Sequence, residues 1–175
     1  MKRIGIITFL HNENYGSTLQ AWALQTVLRE NGWDAVHIDY APNTREKLRN
    51  LITSGNSPKL LLDGLRKRHV KADQQGARSK AAAFQDFYQK QMQLTAPCHN
   101  SQDLAQQAKQ MDGLVCGSDQ VWSPVWFNPA YYLDFAGDKP RVAYACSLGV
   151  SKMPAGGKAR RIGELLKPFS AISVR

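Results

Sequence analysis

Gly113-Leu114-Val115-Cys116-Gly117-Ser118-Asp119-Gln120-Val121-Trp122 is the stretch whose reading decides the fold. A short apolar run ending in glycine is the pattern of a buried parallel strand that opens into a loop at its carboxyl end. Ligands of open α/β sheets collect at that edge. The loop is chemically equipped: Gly117 permits close approach, Ser118 carries a hydroxyl, Asp119 a carboxylate, Gln120 a carboxamide and Trp122 a broad stacking face. A plain polar turn with Trp122 folded back as a lid on the core would use the same six residues. The flanking segments decide between the two readings.

Working outward, Arg141 to Cys146 reads as the next strand and delivers Ser147-Leu148-Gly149 to the same edge. Toward the amino terminus, Ser101 to Met111 reads as a helix with Ser101 as cap and Leu104, Ala105, Ala108 and Met111 turned inward. The chain opens with a β-branched run, Ile4 to Phe9, followed by the loop His11 to Gly16 and a helix over Ser17 to Glu30 that Asn31-Gly32 stops. Asp34 to Tyr40 then closes a βαβ unit whose two strands are expected to be parallel. Lys158 to Lys167 reads as a last helix, with Ile162, Leu165 and Leu166 inward, and Ala171 to Val174 as a last strand. The expected fold class is therefore α/β, a mostly parallel Rossmann-like sheet flanked by helices, with loops 11 to 16, 117 to 122 and 147 to 149 meeting at one rim.

Residues 41 to 94 interrupt that alternation. Pro42, Gly55, Pro58 and Gly76 punctuate basic helical pieces before a better helix around Phe84, Phe87 and Tyr88, so this part reads as an inserted, partly mobile helical segment. After Trp122, the proline-punctuated loop carrying Trp126 and Phe127 is expected to pack both rings onto the body of the domain.

At 175 residues the chain suits one domain, and 43% hydrophobic with 21% charged residues is a globular composition without an apolar run of membrane-spanning length. Met1-Lys2-Arg3 ahead of Ile4 to Leu10 imitates a signal peptide, but the run is short and meets His11-Asn12-Glu13-Asn14 with no small-residue cleavage site. A cytoplasmic location is expected. Cys98, Cys116 and Cys146 are odd in number and far apart, which suggests neither a disulfide framework nor a metal site. Of the net charge of +9, seven units fall within residues 45 to 80, where ten Lys/Arg face Glu46, Asp63 and Asp73. Such a patch suits an anionic membrane surface or an anionic polymer, or is a solvated helical face; lacking interleaved aromatics or a nucleic-acid module, it does not point to nucleic acid. The first loop has Gly16 as its only glycine, so the dinucleotide fingerprint is missing and Asp39 has no phosphate cradle beside it. What the loop offers is His11, Asn12, Asn14 and Tyr15 at a helix N-terminus, where amides favour an anion, although Asn14 or Ser17 also suits a simple cap.

Asn14-Tyr15-Gly16 with Leu19-Gln20-Ala21 and Ala23-Leu24-Gln25, then Ile38-Asp39-Tyr40, Gly117-Ser118-Asp119-Gln120-Val121-Trp122, Tyr132-Leu133-Asp134-Phe135, Ala143-Tyr144-Ala145 with Ser147 and Gly149, and Ile172-Ser173-Val174-Arg175 occur in that order. Together they resemble the polysaccharide pyruvyl transferase family, the Gly-Ser-Asp-Gln-Val-Trp run being the most specific part. The resemblance implies a GT-B-like amino-terminal half and transfer of a pyruvyl group from phosphoenolpyruvate, as a ketal, to a sugar of a cell-surface polysaccharide, with phosphoenolpyruvate as co-substrate and no other cofactor. It also implies a second Rossmann-like domain carrying basic and histidine residues for the donor, so residues 1 to 175 are read as one domain whose catalytic companion is missing. Ser123 and Cys146 depart from the family's usual asparagine and small residue.

The chemistry needs an acid for the enol methylene, a base for a sugar hydroxyl and donors for the anionic groups. Asp119 and His11 are the catalytic candidates. Asn14, Tyr15, Gly16, Gly117, Ser118, Gln120, Trp122, Ser147 and Gly149 are the substrate-binding candidates, with no metal ligands among them. For Asp119 the competing role is a structural carboxylate accepting N–H groups of its own loop. The expected partners are a saccharide or polysaccharide precursor and a second domain or partner chain. Rival readings are the half of a GT-B-type glycosyltransferase using a nucleotide-sugar, and a non-catalytic saccharide-binding or partner module.

Overall fold

The computed structural model describes residues 1–53 and 74–174, and the side chains of 1–50 and 79–174. Much of the basic segment, including the part expected to be mobile, lies outside the described residues. Five strands, β1 (Arg3–Ile7), β2 (Asp34–His37), β3 (Gly113–Asp119), β4 (Arg141–Cys146) and β5 (Ala171–Val174), form one sheet in the order β2-β1-β3-β4-β5. Every neighbouring pair is parallel. The α/β class and the Rossmann-like character expected from the sequence are thus found. The order is that of the flavodoxin-type doubly wound sheet, whose direction of winding reverses between β1 and β3.

Among the described residues five α-helices flank the strands: α1 (Tyr15–Glu30), α2 (Thr44–Thr53), α3 (Gln74–Gln91), α4 (Ser101–Ala108) and α5 (Gly156–Leu166). Alternation along the strands assigns them to faces. Val36, Ile38, Leu114, Cys116, Ala143 and Cys146 join Leu104 and Ala108 of α4, Ile162 and Leu165 of α5, and Trp122, Phe127 and Tyr132 in the main core. On the other face, Leu10 and Ala21 of the α1 side pack with Phe84, Tyr88 and Met92 from α3 and its end. Of the residues expected to turn inward over Ser101 to Met111, Leu104 and Ala108 on α4 and Met111 just beyond it are buried.

The face α1 buries is not its apolar one. Ser17, Thr18, Ala21 and Gln25 are buried, while Leu19 and Val27 are each 53% exposed. The reason is hydrogen bonding. The Gln25 amide donates to the carbonyls of Ala35 (3.3 Å) and Gln93 (2.8 Å) and accepts from the Gln93 N–H (2.9 Å), so one side chain ties α1 to β2 and to the chain returning from α3. That return runs beside β2, bridging His37 to Leu94 and Tyr40 to Cys98, and pairs the sheet edge that β2 would otherwise leave open.

His37 sits at the centre of this face with no exposed surface. Its Nε2–H donates to the Ala21 carbonyl (3.0 Å) and its Nδ1 has no partner among the described residues. Burial, opposed only by that carbonyl, pushes the imidazole down to about 4. The unfolded chain, with a value near 6.5, takes up the proton first, so stability is complete above about pH 6.5 and falls as the pH drops toward about 4. The expected loss over that window is on the order of 3 kcal/mol. Urea unfolding at a series of pH values will show this slope, and His37→Gln, which keeps a donor for Ala21, will shrink it by about one proton's worth; equal slopes in the two proteins would contradict the assignment.

Candidate active site at the sheet reversal

At the carboxyl ends of β1 and β3 the winding reversal leaves a crevice, and polar side chains close it from both sides. Gln20, on the second turn of α1, is the hub. Its Oε1 accepts from the Ser118 N–H (3.0 Å) and the Ser118 hydroxyl (2.6 Å), and its Nε2 donates to Thr8 Oγ1 (3.2 Å) and the Ser17 carbonyl (2.8 Å). Thr8 in turn donates to the Ser118 carbonyl (2.8 Å). The Gly117–Ser118 loop is therefore held by α1 and the end of β1 at once.

Asp119 is the next link. Its Oδ2 accepts from the Ser17 hydroxyl (2.7 Å), its Oδ1 from the Gln120 N–H (2.7 Å), and its carbonyl from the Ser147 N–H (3.0 Å). Asn14 caps α1 by accepting from the Ser17 N–H (3.2 Å), and Asn12 donates to the Ser17 hydroxyl (3.0 Å). Loops 11 to 16, 117 to 122 and 147 to 149 are thus joined through Ser17 and Asp119. The first turn of α1 contains no acidic residue of its own, so the Asp119 carboxylate supplies the negative charge that the positive end of the helix dipole favours. Both of its oxygens already accept one hydrogen bond, as a structural carboxylate would, yet each retains a lone pair for a ligand hydroxyl.

His11 lies across the crevice on the β2 side. Its Nε2 is 2.5 Å from Asp39 Oδ1, and Asp39 is anchored by the Thr95 hydroxyl on its backbone N–H (3.1 Å). A carboxylate on Nε2 selects the tautomer that carries its proton there and leaves Nδ1 as the free nitrogen. Such a pair can hold or move a proton at Nδ1. Tyr15 and Gly16 open α1 with backbone N–H groups that have no acceptor among the described residues.

Backbone conformation concentrates at this rim. His11, Glu13, Asp119 and Ala145 all have φ between 47° and 98°, a region costly for residues with a Cβ, and all four follow or end β1, β3 or β4. At Ala145 the extra residue of a bulge against β5 turns the chain toward Ser147. Gly117 has φ 108°, and a Cβ there would strike the Tyr144 carbonyl oxygen. Its close approach is to the neighbouring strand. Beside Asp119, at the ends of β3, β4 and β5, an open hollow of about 600 Å³ is lined by Gln120, Ser147, Leu148, Gly149 and Val150, among others.

Two aromatic residues decide between expectations. Trp122 is 3% exposed, stacked at 10° on Tyr132 with Phe169 against its edge, and its indole N–H donates to the Tyr131 carbonyl (2.9 Å). With 3% of its surface exposed, the ring acts as the lid on the core and offers almost none of itself as a sugar platform, although it borders the hollow at the ends of β3, β4 and β5. Conversely, Phe127 packs inward as expected but Trp126 is 57% exposed. Thr8 and Gln20 are not among the expected site residues, Ser17 is expected only as a cap of the helix, and Asp39 is considered only as a ribose carboxylate; Gln20 and Asp39 lie within quoted motifs.

Cys98, Cys116 and Cys146 are free thiols; Cys116 and Cys146 lie 3.5 Å apart beneath the loop, where burial pushes the Cys116 thiol up. Among the described residues no group of three or more His, Cys, Asp or Glu could hold a metal ion, and no helix is long and apolar enough to cross a membrane.

Asp119 at the end of β3 and the His11–Asp39 pair beyond β1 and β2 thus stand at the carboxyl edge of one doubly wound sheet, the edge at which such sheets bind ligands. The model of the polysaccharide pyruvyl transferase family matches residues 14–175, and the chain belongs to that family. No curated protein and no solved structure matches it.

The placement of Trp122 is directly measurable. Trp122→Ala will cost about 3–5 kcal/mol in urea unfolding, as loss of a buried aromatic does; a change within about 0.5 kcal/mol, normal for an exposed residue, would return the ring to the surface.

Proposed function

We propose that this chain is the acceptor-side part of a pyruvyl transferase that moves the three-carbon unit of phosphoenolpyruvate onto two hydroxyls of one sugar residue of a cell-surface polysaccharide or its precursor. Membership of the family over residues 14–175 carries this reading, and the crevice supplies groups of the right kind. In such a transfer the enol methylene gains a proton and becomes a methyl group, the two sugar oxygens bond to the former enol carbon, and inorganic phosphate leaves. Of the two protons the hydroxyls give up, one is balanced by the new methyl hydrogen and the other leaves on the departing phosphate as hydrogen phosphate.

Asp119 accepts from a sugar hydroxyl and orients it, its own position fixed by Ser17 and the Gln120 N–H. His11, held through Nε2 by Asp39, moves a proton at Nδ1. The unengaged N–H groups of Tyr15 and Gly16 meet an oxyanion of the donor, helped by the dipole of α1. Asn14 acts through its cap on that helix, and Gly117 and Ser118 act by holding the Asp119 loop against Gln20. Further cationic contacts to the donor come from a companion domain or chain.

Incubated with the protein, phosphoenolpyruvate and an acceptor saccharide will yield phosphate together with a new ketal methyl signal in the proton NMR spectrum, and nucleotide-sugars will not replace phosphoenolpyruvate. Asp119→Asn and His11→Ala will each lower kcat by about 100-fold, the usual scale of acid–base catalysis, while the domain still melts cooperatively, and Asp39→Asn will have a smaller effect in the same direction. Turnover that survives all three substitutions, or transfer that runs on a nucleotide-sugar, would refute the proposal.

A further inference from the structure

We infer that Tyr88 of α3 is a positioning residue for His11, which makes the inserted helix a working part of the site. This rests on the transferase reading and adds to it the device that aims the imidazole.

His11 is left with freedom that one partner does not remove. It lies in the loop beyond β1 with φ 60°, and 28% of its side chain is exposed. Asp39 engages it at a single atom, Nε2. One hydrogen bond there selects the tautomer and sets a distance, but the ring can still tilt about that contact, and the tilt carries Nδ1 with it. A second contact, against the ring itself, is needed to fix the plane. Tyr88 supplies it: the two ring centroids are 5.8 Å apart and the planes meet at 74°, an edge-to-face pair.

Tyr88 is rigid enough to act as the reference. Phe84, Tyr88 and Met92 recur every four residues along α3 and just past its end, so they share one face, and they pack with Leu10 and Ala21. The Phe84 ring lies 6.3 Å from that of Tyr88, which is 2% exposed. At its far end the phenol hydroxyl and the Thr18 hydroxyl hydrogen-bond each other (3.0 Å), and Thr18 is buried as well. A tyrosine held at both ring and hydroxyl does not follow the imidazole. The imidazole conforms to it.

Thr18 also gives the two catalytic candidates a common origin. It follows Ser17, whose hydroxyl donates to Asp119 (2.7 Å). Successive residues of a helix point about 100° apart, so one turn of α1 reaches the Asp119 loop with one hydroxyl and α3 with the next. Asp119 takes its place directly from Ser17, and His11 takes its orientation from Thr18 through Tyr88. A helix that served only to cover this face would need neither the paired hydroxyls nor a ring set against a polar loop residue.

Nuclear Overhauser contacts between the imidazole protons of His11 and the ring protons of Tyr88 are expected in the unaltered protein, the His11 signals being assigned by their loss in His11→Ala. Tyr88→Leu will move the His11 Cε1–Hε1 signal, because a neighbouring ring current is removed, and will leave that of His99 in place. Tyr88→Phe keeps the ring and will hold the signal near its original position. In turnover with phosphoenolpyruvate and an acceptor saccharide, Tyr88→Leu will lower kcat by about ten-fold at unchanged KM, a misplacement effect smaller than removal of His11 itself. Tyr88→Phe will recover most of that loss. Met92→Ala, which takes volume from the same cluster at a residue with no ring to set against the imidazole, will lower the melting temperature and leave kcat unchanged. Absence of the Overhauser contact, a His11 signal unmoved by Tyr88→Leu, or a loss of kcat as large in Met92→Ala as in Tyr88→Leu would overturn the inference. The Overhauser contact decides the matter even if the Tyr88→Leu chain does not fold. Transfer that proceeds at full kcat in Tyr88→Leu would sink this inference and spare the transferase reading, whereas the contact and the signal shifts without any pyruvyl transfer would sink that reading and leave the orientation of His11 by Tyr88 standing.

Discussion

The hydrogen bond between the Ser17 hydroxyl and the Asp119 carboxylate joins two parts of the chain 102 residues apart, and the rest of the site depends on it. On one side it is continuous with the cap of α1 through Asn14, and on the other with the rim of β4 through the Ser147 N–H. A carboxylate at that position offsets the positive end of the helix, while the helix in turn restrains the carboxylate. The rim at the sheet reversal is therefore braced before any ligand arrives, and the cost of ordering Asp119 falls on folding instead of on binding.

This bracing explains the unusual face that α1 turns inward. A helix laid on a parallel sheet usually buries its aliphatic stripe. Here Ser17, Thr18 and Gln25 are buried and Gln20 is half-buried, with Leu19 and Val27 left in solvent. Each buried polar residue is matched: Ser17 to Asp119, Thr18 to the Tyr88 hydroxyl, and Gln25 to two backbone carbonyls. Satisfied hydrogen bonds of this kind contribute about 1 kcal/mol apiece, less than a buried leucine. What they contribute in addition is register: only one placement of α1 along the sheet satisfies Gln20 and Gln25 together. The aromatic core on the opposite face, built from Trp122, Phe127, Tyr131 and Tyr132, supplies the apolar burial that α1 forgoes.

The strands and the shared rim were legible in the sequence because they rest on local signals: β-branched runs, terminal glycines, and helices bounded by Asn31-Gly32 or begun at Ser101. Parallel pairing followed from the βαβ spacing of the first 40 residues. The strand order did not, since no local pattern states that the chain passes over β1 after β2. The polar seam of α1 was hidden for a related reason. Gln20 and Gln25 look like ordinary solvent-facing helix residues until the partners at Ser118, Ala35 and Gln93 are brought to them by the fold. Trp122 took the inward of its two expected places and Trp126 turned outward against expectation, because in a proline-rich loop no periodicity tells an inward ring from an outward one. Asp39 was judged against a phosphate cradle that is not there, and its relation to His11 exists only once β1 and β2 lie side by side.

A double-mutant cycle between Ser17 and Asp119, read by urea unfolding, measures the brace itself. Ser17→Ala, Asp119→Asn and the pair together are predicted to be non-additive, with a coupling of about 1 kcal/mol after allowance for the partial exposure of the carboxylate. Additivity within about 0.3 kcal/mol would mean that the two loops meet without holding each other, and the account of a pre-braced crevice would be wrong.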